Sequence, residues 1–167
     1  MLPEDTLRLL AQKLAKQLQD NQQMLVTAES CTGGWLAKIV TDLPGSSNWY
    51  DSGFVTYSNH AKQQALGVSA ELIAEHGAVS QAVVEAMVSG ALKNSQAEVA
   101  AAVSGIAGPG GGSESKPVGT VCLAVGLRDQ PPVARQEHFS GDREAIRYAA
   151  IKVLLQELLR LTAKKSA

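Results

Sequence analysis

Met24-Leu-Val-Thr-Ala-Glu-Ser-Cys-Thr-Gly-Gly-Trp35 joins a strand signal to a helix signal through a pair of glycines. Met24 to Ala28 is a short apolar run of strand length, with the make-up of a buried strand. It gives way to Glu29, Ser30, Cys31 and Thr32, and Trp35 to Val40 then reads as a helix. Strand, tight turn and helix in that order lift one side chain to the end of the strand. They also leave backbone N–H groups beside it, at the positive end of a helix, where an anion or a developing oxyanion is stabilised. Ser30 is therefore the candidate nucleophile. A plainer reading stays open, because Ser30, Cys31 and Thr32 are polar types found capping helices.

Upstream, Pro3 to Asp20 carries Leu7, Leu10, Leu14 and Leu18 at three- and four-residue spacing, with Pro3 where a first turn tolerates it. Downstream, Leu43 to Ser47 is a turn by composition, and Trp49 to Tyr57 reads as a strand. A short helix follows, capped by Ser58 or Asn59 and closed by Gly67. Ser69 to Glu75 and Ser80 to Lys93 are further helices, the second with Val84, Met87, Val88, Ala91 and Leu92 as its apolar stripe. Ala97 to Val103, apolar but for Glu98, has the small apolar run of a central strand buried on both faces. Val118 to Leu127 and Val133 to Phe139 read as antiparallel neighbours, and Asp142 to Thr162 as the last helix. The alternation predicts an α/β fold, a three-layer α/β/α sandwich with a mixed, mostly parallel sheet, as one domain over residues 1–167.

Bulk properties narrow the function. A net charge of −1 and an aromatic content of 4% provide neither the basic patch nor the stacking rings of a nucleic-acid binder. Cys31 and Cys122 lie too far apart for a metal-ligand cluster or a disulfide framework. The opening Met1-Leu-Pro-Glu-Asp-Thr-Leu-Arg8 has no signal-peptide pattern, and no apolar run approaches the length needed to span a membrane. A cytoplasmic protein is expected.

Three glycine-containing turns follow apolar strands: Ser30 to Gly34, Ser104 to Gly112, and Ser140-Gly141. Ligand sites of layered α/β sheets gather at strand carboxyl ends, so these loops meet at one pocket if their strands run the same way. The second loop fits neither a Walker A motif nor a dinucleotide fingerprint, and a mobile surface loop is its plainer reading. Arg143 and Arg147, four residues apart, share a face of the last helix. A cation at a helix N-terminus is disfavoured by roughly 0.3–1 kcal/mol, which makes sense of Arg143 if an anion also binds there. Two solvated arginines are the alternative.

A serine nucleophile needs a base. Lys62, in the first turn of its short helix, can serve if burial and the helix end disfavour its charged form. An ordinary lysine, with a pKa of about 10.4, is neutral in roughly one molecule in a few thousand at neutral pH. Tyr57 could relay a proton or hold the lysine. A solvated surface charge is the plainer reading of Lys62. Cys31 is a rival nucleophile, while His60, His76 and His138 fit no triad or metal spacing.

Thr27-Ala-Glu-Ser-Cys-Thr-Gly-Gly34, Tyr57-Ser-Asn-x-x-Lys62 with Leu66-Gly-Val68, Ser104-Gly-Ile-Ala-Gly-Pro109 and Gly119-Thr-Val121 together resemble the CinA C-terminal domain family. The closer likeness is to its stand-alone nicotinamide-nucleotide amidases, and it covers essentially the whole chain. The resemblance implies an α/β/α domain that hydrolyses nicotinamide mononucleotide (NMN) to nicotinate mononucleotide and ammonia, without metal or cofactor, in pyridine nucleotide recycling. It implies a homo-oligomer whose partner is this small molecule, with no nucleic acid or membrane. Carried over by position, it makes Ser30 the nucleophile, Lys62 the base and Tyr57 the accompanying tyrosine. Thr32, Gly33 and Gly34 become oxyanion or substrate contacts, Ser104, Gly105 and Gly108 the nucleotide pocket, and Arg143 the phosphate contact. A chain this short cannot also hold the N-terminal domain of full-length CinA proteins. The alternative is a non-catalytic nucleotide-binding module acting through a protein partner in competence or DNA-damage responses, for which Lys62 would have no use.

Overall fold

The computed structural model describes residues 3–164; Met1 and Leu2, quoted above, lie outside the described residues. Five strands form one sheet: β1 (Leu25–Glu29), β2 (Tyr50–Val55), β3 (Val99–Gly105), β4 (Thr120–Leu127) and β5 (Val133–His138), in the order β2-β1-β3-β4-β5. β1 pairs in parallel with β2 and β3, whereas β4 is antiparallel to both β3 and β5. Only β4 is therefore reversed, and the sheet is mixed with most strands pointing one way, as expected.

Side-chain alternation divides the interior into two layers. Val99, Ala101 and Val103 of β3 face one core with α1 (Pro3–Asp20), α2 (Trp35–Thr41) and α6 (Arg143–Leu161). Ala100 and Ala102 face the other, with α3 (Asn59–Leu66), α4 (Ala70–His76) and α5 (Gln81–Lys93). The expected apolar faces are buried, including Leu7, Leu14 and Leu18 of α1, and α6 buries Ile146, Ala150, Ile151, Leu154, Leu155 and Leu158. Leu10 and Leu161 are only partly buried. The strand expected over Trp49 to Tyr57 is shorter, Tyr50–Val55, because a 3-10 turn at Ser46–Asn48 tucks Trp49 into the core before it begins.

Caps place α3. The Ser58 hydroxyl accepts from the Ala61 N–H at 3.0 Å, and Gly67, at φ +66°, ends the helix. A methyl on Gly90 would run into the Leu66 carbonyl, so glycine there lets α5 lie directly against the end of α3. Because β1, β2, β3 and β5 run the same way, their carboxyl ends share one edge of the sheet. Backbone bonds extend the ladder there: Ser30 N–H donates to Val103 O at 3.0 Å and Thr56 N–H to Glu29 O at 2.8 Å. Among the described residues, no helix is long and apolar enough to cross a membrane.

Candidate active site

Lys62 sits one helical turn before Leu66 on the face of α3 that packs inward, and it is only 1% exposed. Its Nζ lies 3.0 Å from Ser30 Oγ, 2.9 Å from Thr56 O and 3.4 Å from Tyr57 O. Burial holds the ammonium below its usual range, against a weaker opposite pull from Cys31. A neutral amine has two N–H donors and one lone pair. Here Nζ donates to Ser30 Oγ as well as to the two carbonyls, and the Ser30 hydroxyl donates to Tyr57 O at 3.4 Å; in the neutral form the Nζ lone pair is within reach of that hydroxyl. That is the geometry of a general base on a serine.

The loop between β1 and α2 is fixed from both sides. On the inside, the buried Glu29 carboxylate accepts from Thr32 Oγ1 at 2.6 Å and from the Leu36 and Ala37 N–H groups at 2.9 and 3.0 Å. Glu29 therefore caps α2, and the polar residues that follow it do not; the N-cap position is Gly34, at φ +95° with no side-chain bond. On the outside, Arg147 donates to Cys31 O and Thr32 O, each at 3.0 Å, with its guanidinium 5.4 Å from the centre of the Trp35 ring. An open cleft of about 560 Å³ adjoins the loop, lined by Thr32, Gly33, Gly34 and Trp35, by Lys38 of α2, and by Arg143, Glu144 and Arg147 of α6. Three cations around one cleft suit an anionic ligand.

A family model described as CinA C-terminal domain matches residues 7–162. The chain belongs to the CinA C-terminal domain family. It is 50% identical over 157 residues to the nicotinamide-nucleotide amidohydrolase PncC of Escherichia coli K12, covering 94% of this chain and 95% of that one. It is likewise 50% identical to the protein of that name from Pseudomonas putida, covering 94% and 98%. The crystal structure of competence/damage inducible protein CihA from Agrobacterium tumefaciens superposes with a TM-score of 0.92 at 42% identity, covering 95% and 96%.

Of the positions that the CinA resemblance marks, Ser30 and Lys62 come together, and several others do something different from what was expected. The Gly33 N–H donates to Ser30 O at 3.0 Å, so it is not a free oxyanion donor. The amides of Thr32 and Gly34 meet no acceptor among the described residues. Thr32, at the border of the cleft, is fully buried with its hydroxyl turned to Glu29, so the side chain is not a substrate contact. The Tyr57 phenol, 59% exposed, receives a hydrogen bond from Arg143 at 2.9 Å and makes none to Lys62 among the described residues. The tyrosine holds the lysine through its backbone carbonyl. Arg143 also donates to Gly108 O at 2.8 Å, tying the glycine-rich loop to the cleft.

Ser104, Gly105 and Gly108 are not on the cleft's lining. Ser104 is buried at the end of β3, next to the Val103 carbonyl that pairs with Ser30. A Cβ on Gly105 would approach Val121 Cγ2 to 2.7 Å and Cys31 Sγ to 3.1 Å, so that glycine serves close packing under the nucleophile loop. The histidines stand apart: His60 is exposed, His76 ends α4, and His138 pairs with Val118 O at 3.1 Å.

Cys31 is buried, and burial pushes its thiol up to about 11. A thiol held protonated is a poor nucleophile. Cys31→Ala is accordingly expected to retain most of the wild-type turnover while losing about 1 kcal/mol of stability, read from steady-state rates and urea midpoints. Loss of turnover in a folded Cys31→Ala protein would overturn the assignment to Ser30.

Proposed function

We propose that this chain hydrolyses the carboxamide of NMN to nicotinate mononucleotide and ammonia, with Ser30 as nucleophile and Lys62 as base. The observation that carries the reading is the 3.0 Å contact between Ser30 Oγ and the Nζ of a buried lysine that has no carboxylate partner among the described residues. The 50% identity to amidohydrolases of that name supports the substrate.

In the first stage the Ser30 hydroxyl proton passes to Lys62 Nζ as Oγ bonds to the carboxamide carbon. The resulting oxyanion is met by the Thr32 and Gly34 amides. The C–N bond then breaks, Lys62 returns the proton to the departing nitrogen, and ammonia leaves an ester on Ser30. Water, deprotonated by Lys62, adds to that ester, and Ser30 departs with its proton restored. The substrate phosphate lies in the cationic cleft. A cytoplasmic setting, a role in pyridine nucleotide recycling and a homo-oligomeric state belong to the same proposal and rest on the family resemblance. A binding module without catalysis would gain nothing from burying Lys62 against a serine.

The test is ammonia release from NMN with metal chelated, followed by rapid quench and mass measurement of the Ser30 peptide. Turnover with a nicotinate-mononucleotide acyl adduct on Ser30 is expected. A folded protein that binds NMN without releasing ammonia would return the function to a binding module.

A further inference from the structure

We propose that Glu29 is a positioning residue for this reaction: acting through Thr32 and the first turn of α2, its buried carboxylate sets the direction of the loop amides that meet the oxyanion. The inference rests on the amidase reading and adds a role to a residue that neither attacks nor binds substrate.

The way α2 is capped motivates it. In α3, α4, α5 and α6 the N-cap residue itself, Ser58, Ser69, Ser80 or Asp142, accepts from the N–H three positions on. In α2 alone among these the N-cap is a glycine without a cap bond, and the acceptor comes from Glu29, beyond the nucleophile. A local cap would satisfy the helix equally well. Reaching across the loop does something a local cap cannot: it closes Ser30 to Gly34 into a ring held at β1 and at α2.

The middle of the ring is held too. Thr32 Oγ1 donates to the same oxygen, Oε1, that takes the Leu36 N–H. From the other side Arg147 holds the Cys31 carbonyl, and peptide planarity then aims the Thr32 N–H away from the arginine. Glu29 is 1% exposed, and among the described residues no cation lies in salt-bridge range of it. Its carboxylate accepts three bonds, all from loop and helix donors. Glutamine could not reproduce the set, because its amide nitrogen would meet an N–H donor with another donor.

The experiment compares Glu29→Gln, Thr32→Val, Thr32→Ser and the Glu29→Gln/Thr32→Val pair by kcat, KM, pH profile and thermal midpoint. Misplacement of reacting groups by an ångström can cost about 10²-fold, so Glu29→Gln and Thr32→Val should each lower kcat by about 10–100-fold with KM nearly unchanged. Thr32→Ser, which keeps the hydroxyl, should restore kcat, and the pair should be no slower than Glu29→Gln alone. The limb of the pH profile belonging to Lys62 should stay in place. A purely structural role would lower the thermal midpoint, leave kcat alone well below it, and make the two losses independent; that result overturns the proposal. If Glu29→Gln does not fold, Thr32→Val against Thr32→Ser decides it. A wild type that releases no ammonia overturns the amidase reading and this role with it, whereas an active wild type matched by Glu29→Gln overturns this role alone.

Discussion

Replacing Lys62 by methionine is expected to lower ammonia release by about 10²–10⁴-fold, the range that a positioned general base contributes. Methionine fills the same channel without a basic nitrogen, so the loss reports on chemistry and not on a cavity. The same variant should change how stability responds to pH. Burial holds the Lys62 pKa below 10.5 in the folded state. Between that lowered value and the unfolded one, the unfolded chain binds more protons, so wild-type stability rises with pH across the window. Below the folded pKa both states are charged and the penalty for burying the ammonium stands in full; above the unfolded pKa it is gone. The methionine variant lacks this term. Urea midpoints of the two proteins at neutral and alkaline pH should therefore shift in favour of the wild type as pH rises. A pH-independent difference, or a methionine variant with wild-type turnover, would remove Lys62 from the mechanism.

Elements whose apolar pattern is set by burial were legible in the sequence. β3 is buried on both faces, and the one polar residue within Ala97 to Val103, Glu98, lies just before the strand begins at Val99. The helices α3, α4 and α5 announced themselves through Ser58, Ser69 and Ser80, which cap in the structure as well. Ser30 could be found from its place between a strand and paired glycines. Lys62 could not be told from a solvated charge by composition, since what sets it apart is burial through tertiary packing of α3 on α5; the motif likeness singled it out.

The misreadings share a cause, which is that hydrogen-bond partners remote in sequence cannot be read from local types. Glu29 looked like the polar end of a strand. A signal was available: α2 has no acidic residue in its first turn and a glycine at its N-cap, so a cap from elsewhere was needed. Arg143 and Arg147 were read as a pair on one helix face. They divide the work, Arg147 gripping the nucleophile loop and Arg143 bridging Tyr57 to Gly108. Gly33 and Gly34 look interchangeable in sequence, but the Gly33 amide closes a turn onto Ser30 O.

Ser30→Ala should lower turnover at least as far as Lys62→Met does, by about 10³-fold or more, because nucleophile and base act as a unit. Neighbouring groups cannot take over. The Cys31 thiol is held protonated by burial, and the Thr32 hydroxyl is bound to Glu29 in the interior. Substrate binding should survive, since the cleft cations Lys38, Arg143 and Arg147 are untouched, and calorimetric titration with NMN should show an affinity close to that of the wild type. The decisive comparison is the double variant Ser30→Ala/Lys62→Met. Once Ser30 is gone, Lys62 has no hydroxyl to deprotonate and no ester to resolve, so the second substitution should cost almost nothing more. If the losses multiply instead, Lys62 acts on water or substrate independently of Ser30, and the reaction is direct hydrolysis without an acyl-enzyme.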